Sequence, residues 1–471
     1  MESDGSRVHS LTPHKSQEPT AQCSSKISKL AAIISTETGK VEKYFQENGL
    51  PLPSFEAETF NDFHTLPPPI AKSRSEVIQA TQELKNLMMG PGESVRWMAW
   101  DFMNTQSLQL INHFGIAKLV PLEGTIPLSE LQSKTTLDAT NLTRLLRHAI
   151  TNRIFREPAP GAIAHTSASL LLAADAPLQA WVGFNTEDMY PASAHVLDAL
   201  RAHPEATNPA RTGFNYAFGT VDAEPMFATL GRDAARARRM GQAMTSLTSG
   251  EGYEISYLVG HCDLADVDAA GGTFVDVGGS HGFVCVDLAR RWRNVRFVVQ
   301  DLPATVASAP ALDVLCGGGG GGGGGGDDDD DVQKQAAVAA AARISFMAHD
   351  FFTEQPVRGA AVYFFRWIMH NHSTPYAVRI LRNLIPALEP GARIIINDIC
   401  LGEPGTEEPW DERLMRGMDL AMMTLLNAQE RDERQFRELF ALASDGFVFK
   451  GVTRPQGCRM SIIEAVWKPD E

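Results

Sequence analysis

The chain has 471 residues, 44% hydrophobic and 21% charged, which allows two domains with ordinary buried cores. A formal charge of −15 argues against a partner that is nucleic acid or anionic lipid, since neutralising phosphates takes clustered Lys and Arg. The six cysteines (Cys23, Cys262, Cys285, Cys316, Cys400, Cys458) form no CxxC pair and no Cys–His cluster, so neither a metal site nor a disulfide framework is expected.

Residues 1–25 are polar, rich in Ser, Pro and His, and expected to be a disordered tail without a signal-type apolar stretch. Ile27, Leu30, Ile33 and Ile34 have helical spacing, and Gly49 and Pro51 stop the pattern. Ser75 to Met89 predicts a second helix closed by Gly90 and Pro91. Residues 94–175 read as short helices. Within them IPLSELQSKTTLDATNLTRLLRHAITNRIFRE is a helix, a turn and a helix, with Asp138 or Thr140 as the second N-cap. AIAHTSAS follows as a short strand or wing. This shape can bind DNA, but residues 101–170 carry six Lys/Arg against five Asp/Glu and no basic stripe. A helical dimerisation module is the preferred reading.

From about residue 270 strands alternate with helices: TFVDV (273–277), VRFVVQD (295–301), AAVYFF (360–365) and RIIIND (393–398). Val284, Leu288 and Trp292 mark one helical face; Val378, Leu381, Ile385 and Leu388 mark another, stopped by Pro390-Gly391. The alternation predicts a Rossmann-like α/β domain with a doubly wound, largely parallel sheet, binding ligands at the strands' carboxyl ends. No run of about 18 apolar residues occurs, so no membrane span is expected, and a cytoplasmic location is the expectation.

The turn after the first strand is Asp276-Val277-Gly278-Gly279-Ser280-His281-Gly282. Its glycines would let the backbone approach a ligand, with a helix N-terminus behind it. The GxGxxG fingerprint of nicotinamide enzymes is absent. Asp301 lies 23 residues after Gly278, where a carboxylate accepts ribose hydroxyls or caps the helix that begins at Pro303. His370 and His372, just beyond a strand, are equal candidates for a general base of near-neutral pKa.

The blocks FVDVGGSHG, VVQDLP, HDFFTEQPVRGAAVYFFRWIMHNHS and IIINDICL, in this order, resemble the S-adenosylmethionine-dependent O-methyltransferases of the caffeic-acid and flavonoid type. The fungal branch acting on secondary metabolites is the nearer likeness, and it extends over nearly the whole chain from about residue 27. The resemblance implies a winged-helix-like N-terminal dimerisation domain (26–210), a methyltransferase domain (211–471) and a homodimer. It implies an S-adenosylmethionine site formed by Asp276, Gly278, Gly279 and Gly282, with Asp301 on the ribose and Asp350 and Phe351 flanking the adenine. Arg366 stands where the family usually has a Lys near the cofactor.

The same resemblance makes His370 the general base toward an aromatic hydroxyl, with Asp398 and Glu430 holding its imidazole. Asp398 replaces a family Glu. The family's HDW becomes His370-Asn371-His372, which alters local packing but removes no proton acceptor. Met244, Met422, Met423 and Asn427 fall at substrate-pocket positions, inside a connecting region (212–248) and the segment before Glu430. Arg232, Arg236, Arg238 and Arg239 read as a solvated helix face. A methyltransferase-like regulatory protein without turnover, an NAD-dependent oxidoreductase and transfer to nitrogen are the alternatives.

Asp301 and Asp350 are 49 residues apart, longer than the family's spacing. The surplus coincides with Gly317 to Asp331, ten glycines followed by five aspartates. A phosphate loop needs glycines at selected positions and a cation, so this tract is expected to be a surface insertion.

Overall fold

The computed structural model describes residues 25–56, 63, 66–312 and 335–469. The insertion 317–331 and the expected tail, Ser25 apart, lie outside the described residues. The described contacts separate residues up to Leu50 with Pro69–Trp97 from Pro51–Pro68 with Met98–Glu471.

The first unit is a pair of helices. Lys26–Glu47 begins at Ser25, whose hydroxyl accepts the Ser28 N–H. Its partner runs Pro68–Trp100, further than the expected end at Met89. Gly90 (φ 78°) breaks the helical path there, and Pro91 restarts it, since a proline in a first turn loses no hydrogen bond. Lys26 pairs with Glu83 across the two helices.

The second unit opens with the helix Phe102–His113 and the helices Leu128–Ser133 and Ala139–Thr151. Asp138 caps the last of these, accepting the N–H groups of Thr140 and Asn141 at 2.9 and 3.1 Å. Three short strands, β1 (Ile126–Pro127), β2 (Arg156–Ala159) and β3 (Ala162–Ala164), pair antiparallel in the order β1-β3-β2. Leu131, Leu142, Leu146 and Ile163 close a small core between them.

The main sheet has seven strands: β4 (Thr273–Val277), β5 (Arg296–Asp301), β6 (Ile344–Ala348), β7 (Val362–Arg366), β8 (Arg393–Asp398), β11 (Phe447–Thr453) and β12 (Ser461–Trp467). The short strands β9 (Cys400–Leu401) and β10 (Arg431–Asp432) pair parallel with each other in a separate sheet. The order in the main sheet is β11-β12-β8-β7-β4-β5-β6. The five strands β4 to β8 are parallel, while β12 runs antiparallel to β8 and β11 antiparallel to β12. The sheet is therefore mixed. Both faces are buried, as a parallel sheet requires. Val275, Tyr363, Phe365, Ile394 and Ile396 face the helices Thr374–Leu384 and Glu433–Ala443. Phe274, Phe297, Phe364 and Ile395 face the helix Phe283–Arg291. This stacking fixes the carboxyl ends of β4, β5, β7 and β8 side by side, and Gly278, Asp301, His370 and Asp398 lie at or just beyond those ends.

Candidate active site

At the end of β4 the chain turns sharply, with left-handed backbone at Gly278 (φ 77°), Ser280 (φ 51°) and Gly282 (φ 77°). A methyl group on Gly278 would lie 2.6 Å from Ile368 Cδ1, and one on Gly279 2.5 Å from the Asp276 carboxylate. Only glycine fits both places. The N–H groups of Gly278 and Gly279 donate to the Gln300 carbonyl at 2.8 and 3.0 Å, which ties the turn to β5.

Asp301 ends β5 beside that turn. Its two oxygens accept the N–H groups of Ser280 (2.9 Å) and Leu302 (2.7 Å), so the carboxylate is held in place while staying partly exposed, with lone pairs to spare. Asp276 is buried, and burial pushes its carboxyl up to about 7; its recorded partner is the Cys285 thiol at 3.5 Å. Asp350 is exposed and accepts the Phe352 N–H at 2.9 Å, while Phe351 is partly buried beside Gly278. A turn with glycine at 278, 279 and 282, next to an anchored carboxylate and an aromatic ring, fits a nucleoside with a polar tail. Arg366 carries its guanidinium to Asn397 and, at 2.7 Å, to the Tyr253 carbonyl, and burial lowers its pKa.

Beyond β7 the chain makes a single 3₁₀ turn, Met369–Asn371, that presents His370. Its Nδ1 lies 2.8 Å from Glu430 Oε1, with both side chains buried. Burial by itself would lower the imidazole pKa; the Glu430 charge and hydrogen bond, with Asp398 behind them, outweigh it, and the net shift is upward. Asp398 does not hold the ring as expected. Its Oδ2 accepts the backbone N–H of His370 at 3.0 Å, and Oδ1 has no partner among the described residues. The shorter carboxylate stops at the main chain, and Glu430 alone reaches the imidazole. His372 faces elsewhere: its ring packs edge-on against Phe351 and Phe352, and burial pushes its pKa down to about 3.

His370 forms part of the wall of a cavity of about 210 Å³. Met244 and Met422 line it, with Trp181, Phe184, Met240 and Trp367 around them. Met423 and Asn427 do not line it. Asn427 ends the helix Pro409–Leu426 in left-handed conformation and donates to the carbonyls of Asn208 (2.8 Å) and Arg211 (3.1 Å), a strut for the connecting segment. The helix turn that carries Met422 inward carries Met423 away. Arg236 and Arg239 are not a solvated face either: both pair with the buried carboxylate of Asp188, because the helix Ala234–Thr248 packs that side inward.

Sequence reasoning missed Arg431 and Trp367. Arg431 is buried and donates to the carbonyls of Met369 and His372, each at 2.7 Å, clamping the loop that carries His370. Its charge next to Glu430 was the available signal. Trp367 packs at a tilt with its ring centroid 5.0 Å from that of His370 and has φ of 56°, a conformation costing a bulky residue about 1–3 kcal/mol. No motif announces such a strain.

Residues 330–448 match a family profile described as an O-methyltransferase domain. A chlorophenol O-methyltransferase of Trichoderma longibrachiatum is 55% identical over 448 residues, covering 95% of this chain and 91% of that protein. The O-methyltransferase AMT9 of Alternaria alternata is 37% identical over 466 residues, 95% of this chain and 99% of its own. Among solved structures, OxaC in complex with SAH and oxaline superposes with a TM-score of 0.68 at 23% identity, covering 93% of this chain and 100% of that one, a likeness of fold. With near-complete coverage at such identity, the chain belongs to the S-adenosylmethionine-dependent O-methyltransferases.

Proposed function

We propose that the protein methylates the hydroxyl of a single-ring phenol, with His370 as general base. The observation that carries this reading is His370 itself, on the wall of an apolar cavity with Nδ1 tied to buried Glu430. A cavity of about 210 Å³ is smaller than the usual range for drug-sized ligands and suits one substituted ring. The chlorophenol relative acts on acceptors of that size class.

S-adenosylmethionine, when bound, supplies an electrophilic methyl group on a sulfonium. Gly278, Gly279 and Gly282 would admit it, Asp301 would accept its ribose hydroxyls, and Asp350 and Phe351 would flank the base. Asp276 lies against the turn at Gly279, and Arg366 is held by Asn397 and the Tyr253 carbonyl. The phenol hydroxyl, of pKa about 10, must lose its proton to become a nucleophile. With Nδ1 on Glu430, Nε2 is the ring nitrogen left to take that proton, and the Glu430 carboxylate offsets the positive charge that forms. Met, Trp and Phe side chains keep water from the oxygen while it is anionic. A homodimer fits the reading: Met98, Phe102 and Met103 expose apolar surface at 71%, 43% and 39%.

His370→Ala, assayed with the cofactor and a halogenated phenol, should lose 100-fold or more, on the order of a positioned base, with cofactor affinity retained. Near-wild-type turnover would sink the assignment.

A further inference from the structure

Arg236 and Arg239 of the helix Ala234–Thr248 have no part in the chemistry, yet the partner they share, Asp188, is buried as deeply as the charged groups around His370. Asp188 is 1% exposed. One of its oxygens accepts Arg236 Nε and Nη2 at 3.0 and 2.6 Å; the other accepts Arg239 Nη2 at 2.7 Å. Arg239 also reaches Glu187, whose other oxygen lies 3.0 Å from His113 Nδ1. The Arg236 guanidinium lies over the Phe218 ring at 4.4 Å. Two arginines on one buried carboxylate cost desolvation, and such a group holds geometry more than it adds stability.

The geometry it holds is the cavity wall. Phe184–Met189 is a π-helical turn, closed by the Tyr190 N–H on the Asn185 carbonyl. Residues five apart point to different sides of an α-helix, but the wider π turn brings Phe184 and Met189 onto one side, and both line the cavity. Glu187 and Asp188 are left for the arginines. On the facing helix Met240, Met244, Leu247 and Thr248 form one stripe toward the cavity, and Arg236 and Arg239 continue it one turn toward the helix N-terminus. The far side of the ion pairs lines an open polar cleft of about 610 Å³. Apolar side chains thus line the cavity, and the paired charges line the cleft. Gly183, just before the π turn, completes the fit: a methyl there would lie 2.9 Å from Arg239 Cδ.

We infer that Asp188, Arg236, Arg239 and Gly183 form a latch that sets the width of the acceptor cavity and so selects acceptors by ring size. They are positioning residues, acting through Phe184, Met189, Met240 and Met244. The inference rests on reading this cavity as the acceptor site.

Trp181 and Trp367 lie in the wall, so quenching of tryptophan fluorescence reports binding without turnover. The probes are 2,4,6-trichlorophenol and 1-naphthol, measured on the full chain as Asp188→Asn, Gly183→Ala and, as control, Arg232→Ala, whose arginine pairs with Glu224 outside the latch. The wild type should prefer the single ring. Asp188→Asn and Gly183→Ala should each shrink that preference about tenfold, the scale of a methylene-sized change in an apolar pocket, and the control should keep it. If Asp188→Asn fails to fold, Gly183→Ala decides alone, since it alters no charge. Equal weakening of both phenols, or an unchanged ratio in a folded variant, overturns the latch. A wild type that binds neither phenol overturns the acceptor-site reading and the latch with it. Binding of both without turnover counts only against His370 as base.

Discussion

Glu430 Oε1 lies 2.8 Å from His370 Nδ1, and its other oxygen has no hydrogen-bond partner among the described residues. A buried carboxylate with one ring as its partner spends its charge on that ring. Glu430→Gln keeps the shape and removes the charge. Turnover should fall on the order of 100-fold. The acid limb of kcat/KM, expected in the wild type above the ordinary histidine value of about 6.5, should move down. The sign follows from the charge: Glu430 favours the imidazolium, so without it His370 loses its proton at lower pH. A limb that stays where it was would show that Glu430 does not set the imidazole's titration.

Asp398 acts on the main chain, and its substitutions should separate accordingly. Asp398→Asn retains an oxygen for the His370 N–H and should cost less than tenfold in kcat. Asp398→Ala leaves that buried N–H unpaired, a loss of about 1–3 kcal/mol in folding stability with a larger drop in kcat. Steady-state kinetics and thermal unfolding of the pair check this; equal effects of both substitutions would count against it.

Gly278→Ala places a methyl 2.6 Å from Ile368 and forces an L residue to hold φ of 77°. The backbone strain alone costs about 1–2 kcal/mol. Calorimetric titration should show cofactor affinity reduced on the order of tenfold or more, because relieving the clash moves the turn that would receive it. Unchanged affinity would place the cofactor elsewhere.

Asp276 makes stability depend on pH in the opposite sense to a paired carboxylate. Its folded pKa of about 7 lies above the unfolded value near 3.9, so between these values the folded chain keeps a proton that the unfolded chain releases. Its contribution is greatest below about pH 4 and declines as pH rises toward 7. Asp276→Asn has no such proton to lose. Urea unfolding should show the variant gaining stability relative to the wild type from pH 5 to pH 8, by as much as a few kcal/mol. A constant difference across that range would contradict the burial argument.

Alternating apolar runs determined the strands β4, β5, β7 and β8 and the helices that cover them, because a strand buried on both faces has to be apolar along its length. The glycine turn, Asp301 and His370 were legible for a related reason: each follows directly from a strand end, where the chain's own geometry places it. β6, β11 and β12 were not legible. β6 is an edge strand with three of its five residues exposed, and β11 alternates only partly, so neither carries a clean periodicity. The mixed sheet was decided by β12 joining β8 in reverse, a choice made by packing between residues 63 to 73 positions apart.

Within the site, the sequence by itself determined which acids and bases were available; tertiary structure decided which of them meet. Asp398 and Glu430 were equal partners for His370 on the page, and side-chain length and backbone placement gave one the main chain and the other the ring. Met422 and Met423 differ by a single residue, a rotation of about 100° around a helix, and only the first faces the cavity. The arginines after residue 232 looked solvated because their partner, Asp188, lies some 50 residues away and is brought to them by the packing of two helical segments. Contacts of that kind depend on three-dimensional proximity, and no local pattern encodes them.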